Sequence, residues 1–246
     1  MNEESVTLTR ELLLVGIDTE EVADRLRDLM EAFPNPAVSV FERDCKAVVR
    51  LTAVGEDEEF CDLAIGSVAR EIRERLGEYI YGCDNATLEA AVLSLLCQRG
   101  LTLAAAESCT GGLVAKRLTD IPGASECFVG GAVVYTEAAK CALLGLEQRF
   151  IDENGVVSAA VAEKLARRVR KKLHSDLGIG ITGWAGPGGE DVGLVFVALC
   201  WRNAEGRTLR CVRRLTLGDR GRETVRTIAA DHALDMVRRY CSGIEI

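Results

Sequence analysis

Several things are scarce in this 246-residue sequence, and each shortage removes a class of protein. No apolar run reaches the roughly 18 residues a membrane-spanning helix needs, so no membrane partner is expected. The first residues, Met1-Asn2-Glu3-Glu4, are acidic and carry no signal-peptide core. Lys and Arg form no basic block, and the net charge is −8. That argues against a nucleic-acid surface, which needs clustered cations. Only two histidines occur. His232 falls on the apolar side of a predicted helix and His174 in the last turn of another, which argues against a Ser-His-Asp triad. There is no G-x-S-x-G elbow, no S-x-x-K, no Walker A loop and no G-x-G-x-x-G after a strand.

Cysteine is plentiful, with ten residues, but no C-x-x-C spacing occurs. A metal site is therefore not expected. Cys61, Cys97 and Cys141 fall in helix-like segments and read as small core residues. Reduced thiols and a cytoplasmic location follow from that reading.

Hydrophobic residues make up 48% and charged residues 28% of the chain, enough for a packed core. An apolar stretch ending at Gly16 reads as a first strand. Asp18 and Glu21 form a capping-box pattern before a helix over 19–32, with Val22, Leu26, Met30 and Phe33 facing inward. Residues 38–41 and 47–53 read as strands. A second helix follows, with Phe60, Ala64, Val68, Ile72 and Leu76 on its inner face. The pattern resets around Gly82 to Asn85. The boundary is placed there, giving a small α+β domain over 1–83 and a larger domain over 84–246. From residue 86 strands and helices alternate, which predicts an α/β three-layer sandwich with a mixed sheet.

The most informative stretch runs from Leu103 to Ala115. An apolar run meets Glu107-Ser108-Cys109-Thr110-Gly111-Gly112, and helical spacing resumes after it. Glycines allow close backbone approach, and a helix start offers free N–H groups to an anion. The same residues also fit an ordinary polar turn with Thr110 as N-cap. Three loops follow apolar strands directly, at 107–112, 135–140 and 182–189. In open α/β sheets such loops share a crevice.

Ser108 is the candidate nucleophile and Cys109 its rival, because a thiolate is favoured at a helix N-terminus. Without histidine, a hydroxyl needs another base, and a desolvated lysine can serve. Lys140 follows Tyr135 by five residues at the end of an apolar strand. Residue type alone also fits a surface lysine and a strand-end tyrosine. Arg220, in a Gly-Asp-Arg-Gly turn, can grip a phosphate or carboxylate.

These residues, in this order, resemble the CinA family. The segments are Ala106 to Gly112, Leu118 to Ser125, Tyr135 to Lys140, Gly155 to Ser158, Ile181 to Gly189 and Gly218 to Arg220. Arg50 to Ala53 and Arg75 to Gly82 resemble the family's KH-like middle module. The family's molybdopterin-binding-like domain has no counterpart in this sequence.

The resemblance implies a nicotinamide mononucleotide amidohydrolase that forms nicotinate mononucleotide and ammonia, with no metal or other cofactor and as a homodimer. It implies Ser108 as nucleophile and Tyr135 with Lys140 as the activating pair. Thr110, Gly111, Gly112, Thr182, Gly183, Gly186 and Arg220 would contact substrate. The alternative is a non-catalytic pyridine-nucleotide-binding or regulatory protein. It is motivated by Glu137 and Ala138 at the family's Asn and Glu positions, by Trp184 in place of Ile, and by a shortened loop after Gly189.

Overall fold

The computed structural model describes residues 5–32, 34–188, 191–203 and 205–246. Phe33 and Gly189, both singled out above, lie outside them. The chain resolves into two compact units, Met1–Leu88 and Glu89–Ile246.

In the first unit β1 (Val6–Leu14), β2 (Ala37–Arg43), β3 (Lys46–Gly55) and β4 (Ile80–Cys83) form an antiparallel sheet ordered β2-β3-β1-β4. Two helices, α1 (Thr19–Ala32) and α2 (Glu58–Leu76), pack on it. Alternation places Val49, Leu51 and Ala53 of β3 in the core with Leu12 and Leu14 of β1. Val22 and Leu26 of α1 and Val68, Ile72 and Leu76 of α2 are buried as expected, and the faces differ only at their edges. α1 buries Leu29, while Met30 is 38% exposed; α2 buries Cys61 and Ile65, while Phe60 is 51% exposed. Helical spacing defines a stripe, but its edge is set by the sheet beneath. Asp18 caps α1 by accepting from the Glu21 N–H (2.8 Å), and the Glu21 carboxylate turns instead to Arg25. β4 carries no alternation of its own and is held by pairing with β1.

The second unit contains α3 (Leu88–Arg99), β5 (Leu103–Glu107), α4 (Leu113–Thr119), β6 (Phe128–Val133), α5 (Glu137–Leu144), α6 (Gln148–Asn154), α7 (Ala159–Lys172), β7 (Leu177–Gly183), β8 (Leu194–Arg202), β9 (Thr208–Thr216) and α8 (Arg222–Ser242). α6 was not expected from the sequence. The sheet order is β6-β5-β7-β8-β9. β5 is parallel to β6 and β7, and the pairs β7–β8 and β8–β9 are antiparallel, so the sheet is mixed as expected.

α7 lies close on one face because β7 offers it no Cβ. A Cβ on Gly178 would meet the Ala166 carbonyl at 2.3 Å, and one on Gly180 the Ala162 carbonyl at 2.2 Å. Gly131 in β6 is similarly confined, 2.9 Å from the Ala105 carbonyl, and the β5–β6 register shifts beside it. α8 buries ionic groups that hydrophobic spacing does not reveal. Asp235 is fully buried and accepts from Arg213 (2.8 Å), Arg238 (2.7 Å) and Arg239 (3.1 Å). His232 lies beside Arg213, and burial holds it neutral, with its pKa lowered to about 4.

One expectation fails outright. Cys97 and Cys127 form a disulfide with Cα atoms 5.9 Å apart, so the thiols are not all reduced. Cys97 is on the exposed side of α3, not in the core, and reaches the turn before β6. A sequence separation of 30 hides the pairing from sequence spacing. Among the described residues no helix is long and apolar enough to cross a membrane.

Gly180→Ala drives a methyl group into helix backbone and is expected to cost about 3 kcal/mol. Gly66→Ala, in an exposed turn of α2 with open space around it, is expected to add about 0.5–1 kcal/mol. Urea unfolding of both variants measures the contrast.

Candidate active site

The site begins where β5 runs out. Ser108 extends the ladder by donating its N–H to the Ile181 carbonyl of β7 (3.1 Å). On the other side Val134 donates to the Glu107 carbonyl (2.8 Å). Parallel pairing thus brings the residues after β5, β6 and β7 to one edge of the sheet. The three loops line a cavity of about 480 Å³ with Val156, Val157 and Arg222. That size suits a small organic ligand.

Glu107 closes the turn. Its carboxylate is 1% exposed and accepts from the N–H groups of Gly112 (3.1 Å), Val114 (3.0 Å) and Ala115 (2.9 Å). The free amides expected to meet a ligand anion at the start of α4 are therefore taken by the protein's own carboxylate. Gly112 stands at the N-cap with φ 96°, which explains the need for glycine there, and Thr110 is not the cap. The Gly111 N–H donates to the Ser108 carbonyl (3.0 Å). Thr110, Gly111 and Gly112 do not line the cavity. The Thr110 carbonyl instead accepts from Arg226 of α8 (2.7 Å). The N–H groups of Cys109 and Thr110 turn toward the Cys109 sulfur.

Lys140 is no surface lysine: it is fully buried. Thr136 caps α5 by accepting from the Ala139 N–H (3.1 Å), and one turn in, Lys140 points under the β5 turn. Its Nζ lies 3.0 Å from Ser108 Oγ, 2.9 Å from the Val134 carbonyl and 3.4 Å from the Tyr135 carbonyl. Burial lowers its pKa, opposed by the Glu137 carboxylate at the cavity wall. If the amine is neutral, the two carbonyls can take its two hydrogens, which leaves the lone pair to face Ser108 Oγ.

Tyr135 and Arg220 are placed differently from expectation. The Tyr135 hydroxyl does not reach Lys140. It accepts from Arg222 (2.7 Å), and only the Tyr135 carbonyl faces the lysine. Arg220 is exposed and outside the cavity lining. Glycines of positive φ at 218 and 221 turn the chain so that Arg222, the first residue of α8, faces the cavity. Arg222 also donates to the Gly186 carbonyl (2.8 Å). Nothing in the Gly218 to Gly221 turn signal separates these two arginines. Thr182, Gly183 and Gly186 do line the cavity, and Thr182 donates its hydroxyl to the Val156 carbonyl (2.8 Å).

Cys109 also borders the cavity, but burial pushes its thiol up to about 11. The serine beside a desolvated lysine is the better nucleophile at neutral pH. Among the described residues no group of His, Cys, Asp and Glu side chains can hold a metal ion.

A serine hydroxyl set against a buried lysine, at the edge of a mixed α/β sheet, defines a site of the serine–lysine type. The chain belongs to the CinA family. The model of the CinA C-terminal domain matches residues 85–241, and that of the damage-inducible protein CinA KH domain matches residues 9–82. A putative competence-damage inducible protein of Caldanaerobacter subterraneus subsp. tengcongensis is 42% identical over 97% of this chain and 57% of its own length. A CinA-like protein of Desulfovibrio desulfuricans is 44% identical over 94% of this chain and 54% of its own. The chain thus spans about half the length of these curated relatives. The competence/damage inducible protein of Agrobacterium tumefaciens shares 34% identity at a TM-score of 0.56, over 61% of this chain and 90% of its own. A competence damage-inducible protein from Klebsiella pneumoniae shares 28% identity at 0.58, over 64% and 97%.

Glu107→Ala leaves three amides without their acceptor. It is expected to lower the unfolding free energy by about 3 kcal/mol or more, while Glu107→Gln, which keeps one acceptor oxygen, costs less. Urea denaturation of the two variants makes the comparison.

Proposed function

We propose that the second unit is an amidohydrolase acting on nicotinamide mononucleotide, releasing ammonia and nicotinate mononucleotide. The observation that carries the reading is the 3.0 Å approach of a buried Lys140 Nζ to Ser108 Oγ. Lys140, neutral in the closed site, takes the proton of Ser108 as Oγ attacks the carboxamide carbon. The N–H groups of Cys109 and Thr110, following the nucleophile, are assigned to the developing oxyanion, a role worth roughly 3–4 kcal/mol per donor in such sites. Lys140 returns the proton to the leaving nitrogen, and ammonia departs. Water then attacks the acyl-enzyme with Lys140 again as base, giving the acid and free Ser108.

Arg222 takes the place first given to Arg220, as the cavity's cation for the substrate phosphate. Trp184, 48% exposed in the lining, offers an aromatic face to the cationic pyridinium ring. Tyr135 acts by holding Arg222 rather than by moving a proton.

Ammonia release from nicotinamide mononucleotide is the test. The wild type is expected to turn over, with Ser108→Ala and Lys140→Met each reduced at least a thousandfold and Cys109→Ala within a few fold of wild type. Because the base form of Lys140 is required and burial lowers its pKa, the rate rises with pH and levels off below the usual lysine value of 10.5. Undiminished turnover by Ser108→Ala would overturn the mechanism. Saturable binding without release by the wild type would assign the non-catalytic reading.

A further inference from the structure

A second cavity of about 310 Å³ opens at the other end of the same strands. Its lining includes Leu101, just before β5, and Leu177, the first residue of β7. The catalytic edge lies beyond the seven residues of β7, about 20 Å away at strand rise. Arg170 and Lys171 of α7 and Arg202 of β8 bring three cationic side chains to it. One carboxylate, Asp176, shares the lining, and its Oδ2 already accepts from the Thr102 N–H (2.8 Å) and hydroxyl (2.7 Å).

Arg170 is the unusual member. It is 7% exposed, and its buried Nε has no hydrogen-bond partner. Among the described residues no carboxylate pairs with it. A buried guanidinium without an anion is costly, because its desolvation is uncompensated. Burial and the neighbouring Arg202 both disfavour its charge. A basic stripe at the end of a helix ordinarily offsets the helix dipole. That role asks for exposed cations, and with Asp176 counted the dipole's partial charge of about −0.5 still leaves the lining net positive.

We propose that this cavity is a second anion site, in which Arg170 and Arg202 bind a phosphoryl group of a small phosphorylated ligand. A phosphate oxygen supplies an acceptor to the Arg170 guanidinium where it lines the cavity, and two guanidinium groups match phosphate geometry. Tyr240 at the wall, packed at a tilt against Trp201 with ring centroids 5.1 Å apart, gives an aromatic side for the rest of the ligand.

The experiment is calorimetric titration of the full chain with inorganic phosphate and with pyrophosphate. Arg222→Ala is present throughout, so that the catalytic cavity's cation does not contribute. Saturable binding is expected, weakened about tenfold or more by adding Arg202→Ala and likewise by adding Arg170→Met. Tighter binding of pyrophosphate than phosphate would mark a diphosphate ligand, and equal binding a monophosphate; both support the site. Arg202 is an exposed strand-end residue, so its variant keeps the test valid if Arg170→Met fails to fold. Absence of binding at millimolar anion, or binding indifferent to Arg202→Ala, overturns the proposal. A change of oligomeric state by Arg202→Ala in sedimentation, without anion binding, would show that a second copy fills the cavity, and overturns it as well.

Discussion

The candidate site depends on one buried carboxylate. Glu107 ends a strand and caps the helix that follows, and Ser108 sits between the two. Burying a lone carboxylate costs several kcal/mol, and three charge-assisted amide bonds are what make it tolerable. They also fix the turn. With Gly112, Val114 and Ala115 tied to Glu107, the start of α4 is fixed. The position of the candidate nucleophile follows from this one cap.

Lys140 imposes the second constraint. A lysine can act as base near neutrality only when water is excluded from it. Small residues make that exclusion possible. β5 is Leu-Ala-Ala-Ala-Glu, buried throughout, and β7 contributes Gly178 and Gly180 to the face covered by α7. Bulky side chains at these positions would hold α7 away from the sheet. The same tight layer bears Arg170, whose Cβ would lie 2.6 Å from a Cβ on Gly178.

Much of this was legible in the sequence, for reasons that differ by element. The mixed α/β sheet was visible because strands and helices alternate in period and end on glycine. Ser108 and Lys140 stood out because each follows an apolar run whose end must lie at a sheet edge. The Glu107 cap was not legible. Capping rules read three residues ahead of the cap, whereas Glu107 reaches residues five, seven and eight places on. The role of Tyr135 was misread because closeness in sequence to Lys140 says nothing of where a phenol points; its hydroxyl crosses to Arg222. Arg222 was missed for Arg220 because which arginine faces the cavity is decided by the turn at Gly218 and Gly221. The exposure of Met30 and Phe60 has a similar origin, since the sheet beneath a helix decides where its buried stripe ends.

The two histidines show why the proposed reaction falls to a lysine. His174 is exposed after the end of α7, in a left-handed conformation at φ 54°, and lines the second cavity rather than the first. His232 lies in α8 beside Arg213, and that cation and burial together hold its pKa near 4. A base with so low a pKa has little drive to take a serine proton. Lys140 starts from the opposite side: its ordinary pKa is too high, and desolvation brings it down while Glu137 limits the fall. Lys140 also has the position that neither histidine has, with its Nζ 3.0 Å from Ser108 Oγ.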